Sequence, residues 1–228
     1  MRRAESHAEV LSEHVSFPGK VVVDVGCGIG DLTRWLVSQG CEAVGVDTPR
    51  AIAKAEAASG PNRARYVAGL AESLPLEEAS ADVLLYIGSF HHVPKEARHV
   101  ALKECSRVMK ASGRAVFIEP VAQAGSYYEI VRLHEDEAQV QTEAYEALHM
   151  AHRAGLAMAK EDTYYLERSF EDFNHLLDVY LEDESKREGI MGAAREITER
   201  MARESATRFE AFRYRSVCRL NVLERRGS

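Results

Sequence analysis

The feature that most constrains this chain is the stretch Lys20-Val-Val-Val-Asp-Val-Gly-Cys-Gly-Ile-Gly30, followed by Asp31-Leu-Thr-Arg-Trp-Leu-Val37. Val21 to Val25 is β-branched except at Asp24 and reads as a short strand buried on both faces. Gly26, Gly28 and Gly30 have no Cβ, so the backbone there can turn sharply and lie close to a ligand. Leu32 and Leu36 recur at helical spacing, and Gly40 supplies a stop. Strand, glycine loop and helix form the opening unit of a nucleotide-binding α/β fold.

The loop spacing narrows the choice of ligand. A dinucleotide fingerprint reads Gly-x-Gly-x-x-Gly and sets a pyrophosphate at the helix N-terminus. Asp31 falls where the third glycine would stand, and its charge would repel that pyrophosphate. No Gly-Lys-Ser/Thr follows, so a P-loop is excluded. Cys41-Glu-Ala-Val-Gly-Val-Asp47 reads as a second strand ending in an acid, and Thr48-Pro49 opens a helix. An acid about 20 residues beyond the first strand is where such folds bind a ribose. The Asp47 carboxylate can accept hydrogen bonds from both ribose hydroxyls, or it can simply cap the helix.

Further strands are expected at Arg65–Ala68, Ser80–Ile87 and Gly113–Glu119, with a helix from Pro94 to Met109 between the last two. Four segments in this order resemble class I S-adenosylmethionine-dependent methyltransferases, closest to the group with quinone-biosynthesis and small-molecule enzymes. They are Val-Asp-Val-Gly-Cys-Gly-Ile-Gly; Gly69-Leu-Ala-Glu-Ser-Leu-Pro75; Asp82-Val-Leu-Leu with His91-His92; and Leu102-Lys-Glu-Cys-Ser-Arg-Val-Met-Lys110 leading to Gly113. The resemblance covers residues 20–119. Leu70 departs from it, standing where the family commonly has an aspartate that meets the adenine amine.

The resemblance implies a Rossmann-like α/β fold, a seven-stranded and mostly parallel sheet with helices on both faces and a helical cap. It implies S-adenosyl-L-methionine as cofactor, with S-adenosyl-L-homocysteine as product, and in-line displacement at the sulfonium methyl by a nucleophile on the acceptor. That chemistry needs alignment and desolvation more than a fixed catalytic triad. The cofactor-binding residues expected are Asp24, Gly26, Cys27, Gly28, Gly30, Asp47, Thr48, Leu70, Ala71, Glu72, Ile87 and Gly88. His91, His92, Tyr127 and Tyr128 are the catalytic candidates. For the two histidines, walling the cofactor pocket is preferred to acting as general base or metal ligand, and no metal is expected.

Composition bounds the rest. With 228 residues, 46% hydrophobic and 29% charged, the chain suits one domain over 1–228. Its expected parts are a cofactor-binding core over 20–119, substrate-cap insertions around a sixth strand over 120–210, and a last strand over 211–226. A net charge of −7 gives no global basic field for nucleic acid, so a small-molecule acceptor is expected, and either a monomer or a homodimer is compatible with it. The four cysteines are scattered, which suits reduced thiols in a cytoplasmic protein. No signal peptide or membrane span is visible.

Outside the core, helices are expected over 3–15, over 135–154, and over 170–183 on the spacing of Phe173, Leu176, Leu177, Tyr180 and Leu181. A further helix carries Ile190, Ala194, Ile197 and Met201. Residues 213–223 alternate polar and apolar, as an edge or antiparallel strand does. Two rival functions share these features: an NAD(P)-dependent oxidoreductase and a noncatalytic S-adenosylmethionine-binding protein.

Overall fold

Val22, Val23, Asp24 and Val25 are all buried, and this forces their backbone groups into a ladder with neighbours on both sides. They belong to β2 (Val21–Val25), which pairs in parallel with β3 (Glu42–Asp47) and with β5 (Ala81–Ile87). Asp82 pins the opposite end of these strands, accepting the Val21 amide at 3.0 Å and the Lys110 ammonium at 2.8 Å. The computed structural model describes residues 1–60, 64–172, 174–176, 187–204 and 213–227. The other strands are β1 (Arg2–Ala4), β4 (Arg65–Ala68), β6 (Met109–Pro120), β7 (Leu156–Ser169) and β8 (Arg213–Arg225). They form one sheet in the order β1-β7-β8-β6-β5-β2-β3-β4.

The helices are α1 (His7–His14), α2 (Asp31–Ser38), α3 (Pro49–Ala58), α4 (Arg98–Val108), α5 (Gly125–Val131), α6 (Ala138–His149) and α7 (Arg187–Glu204). Local chemistry sets several starts. Gly30 caps α2 at φ +82°, a left-handed conformation that glycine adopts at no steric cost. Thr48 caps α3 with Pro49 at its first position.

Two compact units share the chain, with β7 and β8 running through both. One comprises 7–119, 140–162 and 219–228. Its core joins Val23, Val46, Leu84, Tyr86 and Phe117 of the strands to Leu102 and Cys105 of α4 and Leu148 of α6. The other comprises 1–6, 120–139 and 163–218. There Ile130, Leu176, Ala194, Ile197 and Tyr214 cluster, and Thr198 and Tyr214 share a buried hydroxyl–hydroxyl bond of 2.9 Å.

Three expectations are corrected. The sheet has eight strands rather than seven, because Arg2–Ala4 is extended and pairs with Tyr164–Leu166, so the first helix starts only at His7. Of the two alternatives for the last strand, edge or antiparallel, the edge is excluded: β8 lies between β7 and β6, and Val217, Cys218, Leu220, Val222 and Leu223 are buried accordingly. The fifth expected strand begins at Met109, four residues early, with a register shift between Ala81 and Val83 on its partner. The helix expected over 170–183 falls mostly outside the described residues.

Candidate active site

A cavity of about 440 Å³ opens at the carboxyl ends of β2, β3, β4 and β5. This is the edge at which parallel α/β sheets bind ligands. Its walls include Gly26, Asp47, Thr48, Leu70, Ala71, Glu72, Gly88 and His92. Eight of the residues named from sequence are thereby brought together.

Asp47 organises the entrance. At the last position of β3, its carboxylate accepts the Gly28 amide at 2.8 Å and the Thr48 amide at 2.6 Å. Two amides leave lone pairs on a carboxylate able to accept about four hydrogen bonds. The glycine loop is meanwhile anchored by Gly26 and Cys27 amides donating to the Val46 carbonyl, at 2.8 and 3.3 Å. Gly28 has φ +55°, and a side chain there would meet no protein atom within 4 Å. The Gly28 backbone is therefore bare toward open space, next to Asp47 but outside the cavity walls.

Asp24, Cys27, Gly28, Gly30 and Ile87 do not line the cavity. Asp24 is buried behind the loop, where its carboxylate accepts the Thr33 hydroxyl at 2.7 Å. Burial raises its pKa to about 6, with the Asp47 charge adding to the rise and the Thr33 bond opposing it. Cys27 is also buried; desolvation and the nearby Asp24 and Asp47 charges push its thiol to about 12. Gly30 makes room for Tyr66, whose hydroxyl would lie 2.3 Å from an added Cβ. Asp24, Cys27 and Gly30 support the loop from behind, whereas Gly28 is exposed on it.

The two histidines differ in burial although their rings touch, 4.0 Å between centroids. His92 is exposed on the cavity wall, whereas His91 is buried with Nδ1 against the Glu119 carboxylate. Glu119, at the end of β6, also accepts the Ser89 and Phe90 amides at 3.2 and 2.8 Å. The Ser89 hydroxyl donates to the Val25 carbonyl at 2.7 Å, tying the 88–92 loop to β2. Arg98 of α4 clamps the same loop, donating to the carbonyls of Val93 and His91 at 3.0 Å each. Farther along α4, Glu104 accepts the Leu74 amide at 2.9 Å, while Arg107 donates to the Leu76 and Leu74 carbonyls at 2.8 and 3.1 Å. Glu104 and Arg107 thus hold the segment that presents Leu70, Ala71 and Glu72. Sequence reasoning missed Glu119, Arg98, Glu104 and Arg107 as site-forming residues. The Glu-x-x-Arg spacing on a helix was the visible signal for one pair.

Leu70 is 52% exposed, an apolar side chain open at the cavity mouth. Among the described residues, none of α1 lines the cavity. Tyr127 and Tyr128 lie on α5 in the other unit. Tyr127 stacks on Phe170 at 6.3 Å between ring centres, and the Tyr128 hydroxyl donates to Asp136 at 3.0 Å.

Residues 23–117 match a family described as a methyltransferase domain. The chain is 32% identical over 130 residues to the chloroplastic tocopherol O-methyltransferase of Arabidopsis thaliana, covering 50% of this chain and 37% of that protein. It is 33% identical over 113 residues to the ubiquinone biosynthesis O-methyltransferase of Nitrosococcus oceani, covering 48% and 47%. The chain spans about half the length of the curated relatives it matches. Among solved structures, the YcgJ protein of Bacillus subtilis superposes with a TM-score of 0.68 at 18% identity, covering 96% of this chain and 97% of that one. A SAM-dependent methyltransferase from Aquifex aeolicus gives 0.57 at 17% identity, covering 68% and 81%. At these identities the two structures speak to fold alone.

Proposed function

We propose that this chain transfers a methyl group to a small-molecule nucleophile, since residues 23–117 match a methyltransferase domain family and the fold is shared with a SAM-dependent methyltransferase. The observation that carries the reading is the Asp47 carboxylate. It is fixed by the Gly28 and Thr48 amides and still able to accept from two vicinal hydroxyls beside a backbone with no Cβ. The residues present fit a nucleoside cofactor: an acid for the ribose, apolar walls at Val46, Leu70, Ala71 and Val93 for a flat base, and bare glycine backbone for the rest. The same geometry disfavours the oxidoreductase reading, because the Gly28 amide is already engaged by a carboxylate where a pyrophosphate would need free donors.

When bound, S-adenosylmethionine supplies a methyl group activated by the sulfonium charge. The chain's own part is to bind, orient and exclude water, which can lower a barrier by about 7–11 kcal/mol in favourable cases. We assign cofactor contact to Gly26, Gly28, Asp47, Thr48, Leu70, Ala71, Glu72 and Gly88, and wall contact to His92. His91, engaged by Glu119, acts through the loop. Tyr127 and Tyr128 stand as acceptor-contact candidates, tested by whether their replacement with phenylalanine changes turnover once an acceptor is found.

A small acceptor is supported by the net charge of −7 and by relatives named for tocopherol and ubiquinone biosynthesis. A reducing, cytoplasmic setting is supported by four buried cysteines that form no disulfide. No described helix is long and apolar enough to cross a membrane. Calorimetry with S-adenosylhomocysteine and NAD side by side tests the assignment: the first is expected to bind and the second not. The reverse order would overturn it.

A further inference from the structure

Gly45 lies inside β3, where a glycine weakens the strand and marks a close approach. A Cβ there would stand 2.7 Å from the Tyr66 ring and 2.9 Å from both Cys27 Sγ and Thr33 Oγ1. Tyr66 is the register partner of Gly45 on β4, while Cys27 belongs to the glycine loop and Thr33 to α2. The same ring reaches past β3 to Gly30, where an added Cβ would stand 2.7 Å from Cε1 and 2.8 Å from Cζ. One glycine in a strand and one at the exit of the loop are therefore cleared for a single side chain.

The Tyr66 hydroxyl lies between two elements. It is 3.4 Å from the Gly30 carbonyl and 2.9 Å from Oγ of Ser59, the residue that ends α3. Ser59 Oγ is in turn 2.7 Å from the Ala55 carbonyl. When Ser59 donates to Ala55, Tyr66 donates to Ser59; when Ser59 donates to Tyr66, Tyr66 donates to Gly30. Either way the phenol is tied to the end of α3 while its ring abuts the loop. Gly30 is the left-handed cap of α2, and its amide donates to the Cys27 carbonyl at 2.9 Å. A shift at Gly30 is thus passed to the turn that holds Gly28 on Asp47. Tyr66 itself does not line the cavity.

We infer that Tyr66 is a positioning residue for cofactor binding: wedged over Gly45 and against Gly30, it fixes the glycine loop in the form that sets Gly28 beside Asp47. The inference rests on the nucleoside reading of the site. It gives β4 and the end of α3 a part in an affinity that neither contacts directly.

The test is Tyr66→Phe and Tyr66→Leu, with S-adenosylhomocysteine as calorimetric probe and the ligand-free Tm measured in parallel. Affinity should fall about threefold for the first, which keeps the ring but frees the Gly30 carbonyl, and about tenfold for the second, which empties the slot. Wild-type affinity in either folded variant would overturn the inference alone. Failure of the wild type to bind would overturn the functional reading itself. Where Tm falls along with affinity, Leu148→Ala, a buried core change in α6 outside the cavity walls, is the control. Retained affinity in that variant at a similar loss of Tm supports the positioning role, and a matching loss refutes it. Adding Gly30→Ala to Tyr66→Leu tests the slot directly. It should lower Tm less there than in the wild type, and strictly additive losses would refute the contact.

Discussion

Asp47 and Gly28, 19 residues apart, are joined by a 2.8 Å hydrogen bond from the glycine amide to the carboxylate. The bond links the end of β3 to the loop after β2, so the acid that would grip a ribose also sets the loop that would pass beside it. Preorganisation of this kind lowers the ordering cost of binding.

Asp47→Ala should weaken S-adenosylhomocysteine binding by about 1.5–3 kcal/mol, the usual loss for hydrogen bonds to a charged group. The protein should stay folded, because Asp47 lies at a strand end beside the cavity and not in the core. Calorimetry together with the ligand-free Tm checks this; aggregation or unfolding would show that the acid serves the fold.

Two glycines of one loop should fail differently. Gly28→Ala meets open space and incurs only the cost of a left-handed residue, about 1–2 kcal/mol, while its methyl adds bulk to the loop proposed to pass beside the ligand. Gly30→Ala places a Cβ 2.3 Å from the Tyr66 hydroxyl and should lower Tm more. Binding lost at a nearly native Tm in the first, and Tm lost in the second, is the expected pair of results.

Glu119→Gln should loosen the 88–92 loop. One Glu119 oxygen accepts both the Ser89 and Phe90 amides and the other faces His91 Nδ1, so the change removes the charge from all three contacts and requires the imidazole to accept rather than donate. A stability loss of about 1–3 kcal/mol is expected, with weaker S-adenosylhomocysteine binding through the displaced Gly88 and His92. Unchanged denaturation and unchanged affinity would show that Arg98 holds the loop unaided.

Asp24 makes stability depend on pH. Its pKa rises from 3.8 to about 6 on folding, so the folded state favours the protonated acid. The advantage is whole below the unfolded value and is lost as pH rises from about 4 through about 6, by about 3 kcal/mol. Asp24→Asn keeps an acceptor for Thr33 without the buried charge. Its Tm relative to wild type should be highest above pH 6.5 and should converge with wild type toward pH 4. A difference that does not vary with pH would mean that Asp24 keeps an ordinary pKa.

The core elements were legible in the chain because their causes are local. A β-branched run must be a buried strand, three glycines must be a turn with bare backbone, and Thr48-Pro49 must open a helix; all three stand in the structure. Asp47 was legible too, since its place follows from strand length. Pairings across long stretches of chain were not. Arg2–Ala4 is a strand only because Tyr164–Leu166 offers it a ladder, and β8 is interior only because β7 continues beyond it. Glu119 reaches His91 across 28 residues, and Gly30 answers to a tyrosine 36 positions away. Composition and periodicity carry no record of such distances. Periodicity shows that a residue is buried, while the tertiary structure alone decides what it is buried against, and that choice set Asp24 behind the loop and His91 on Glu119.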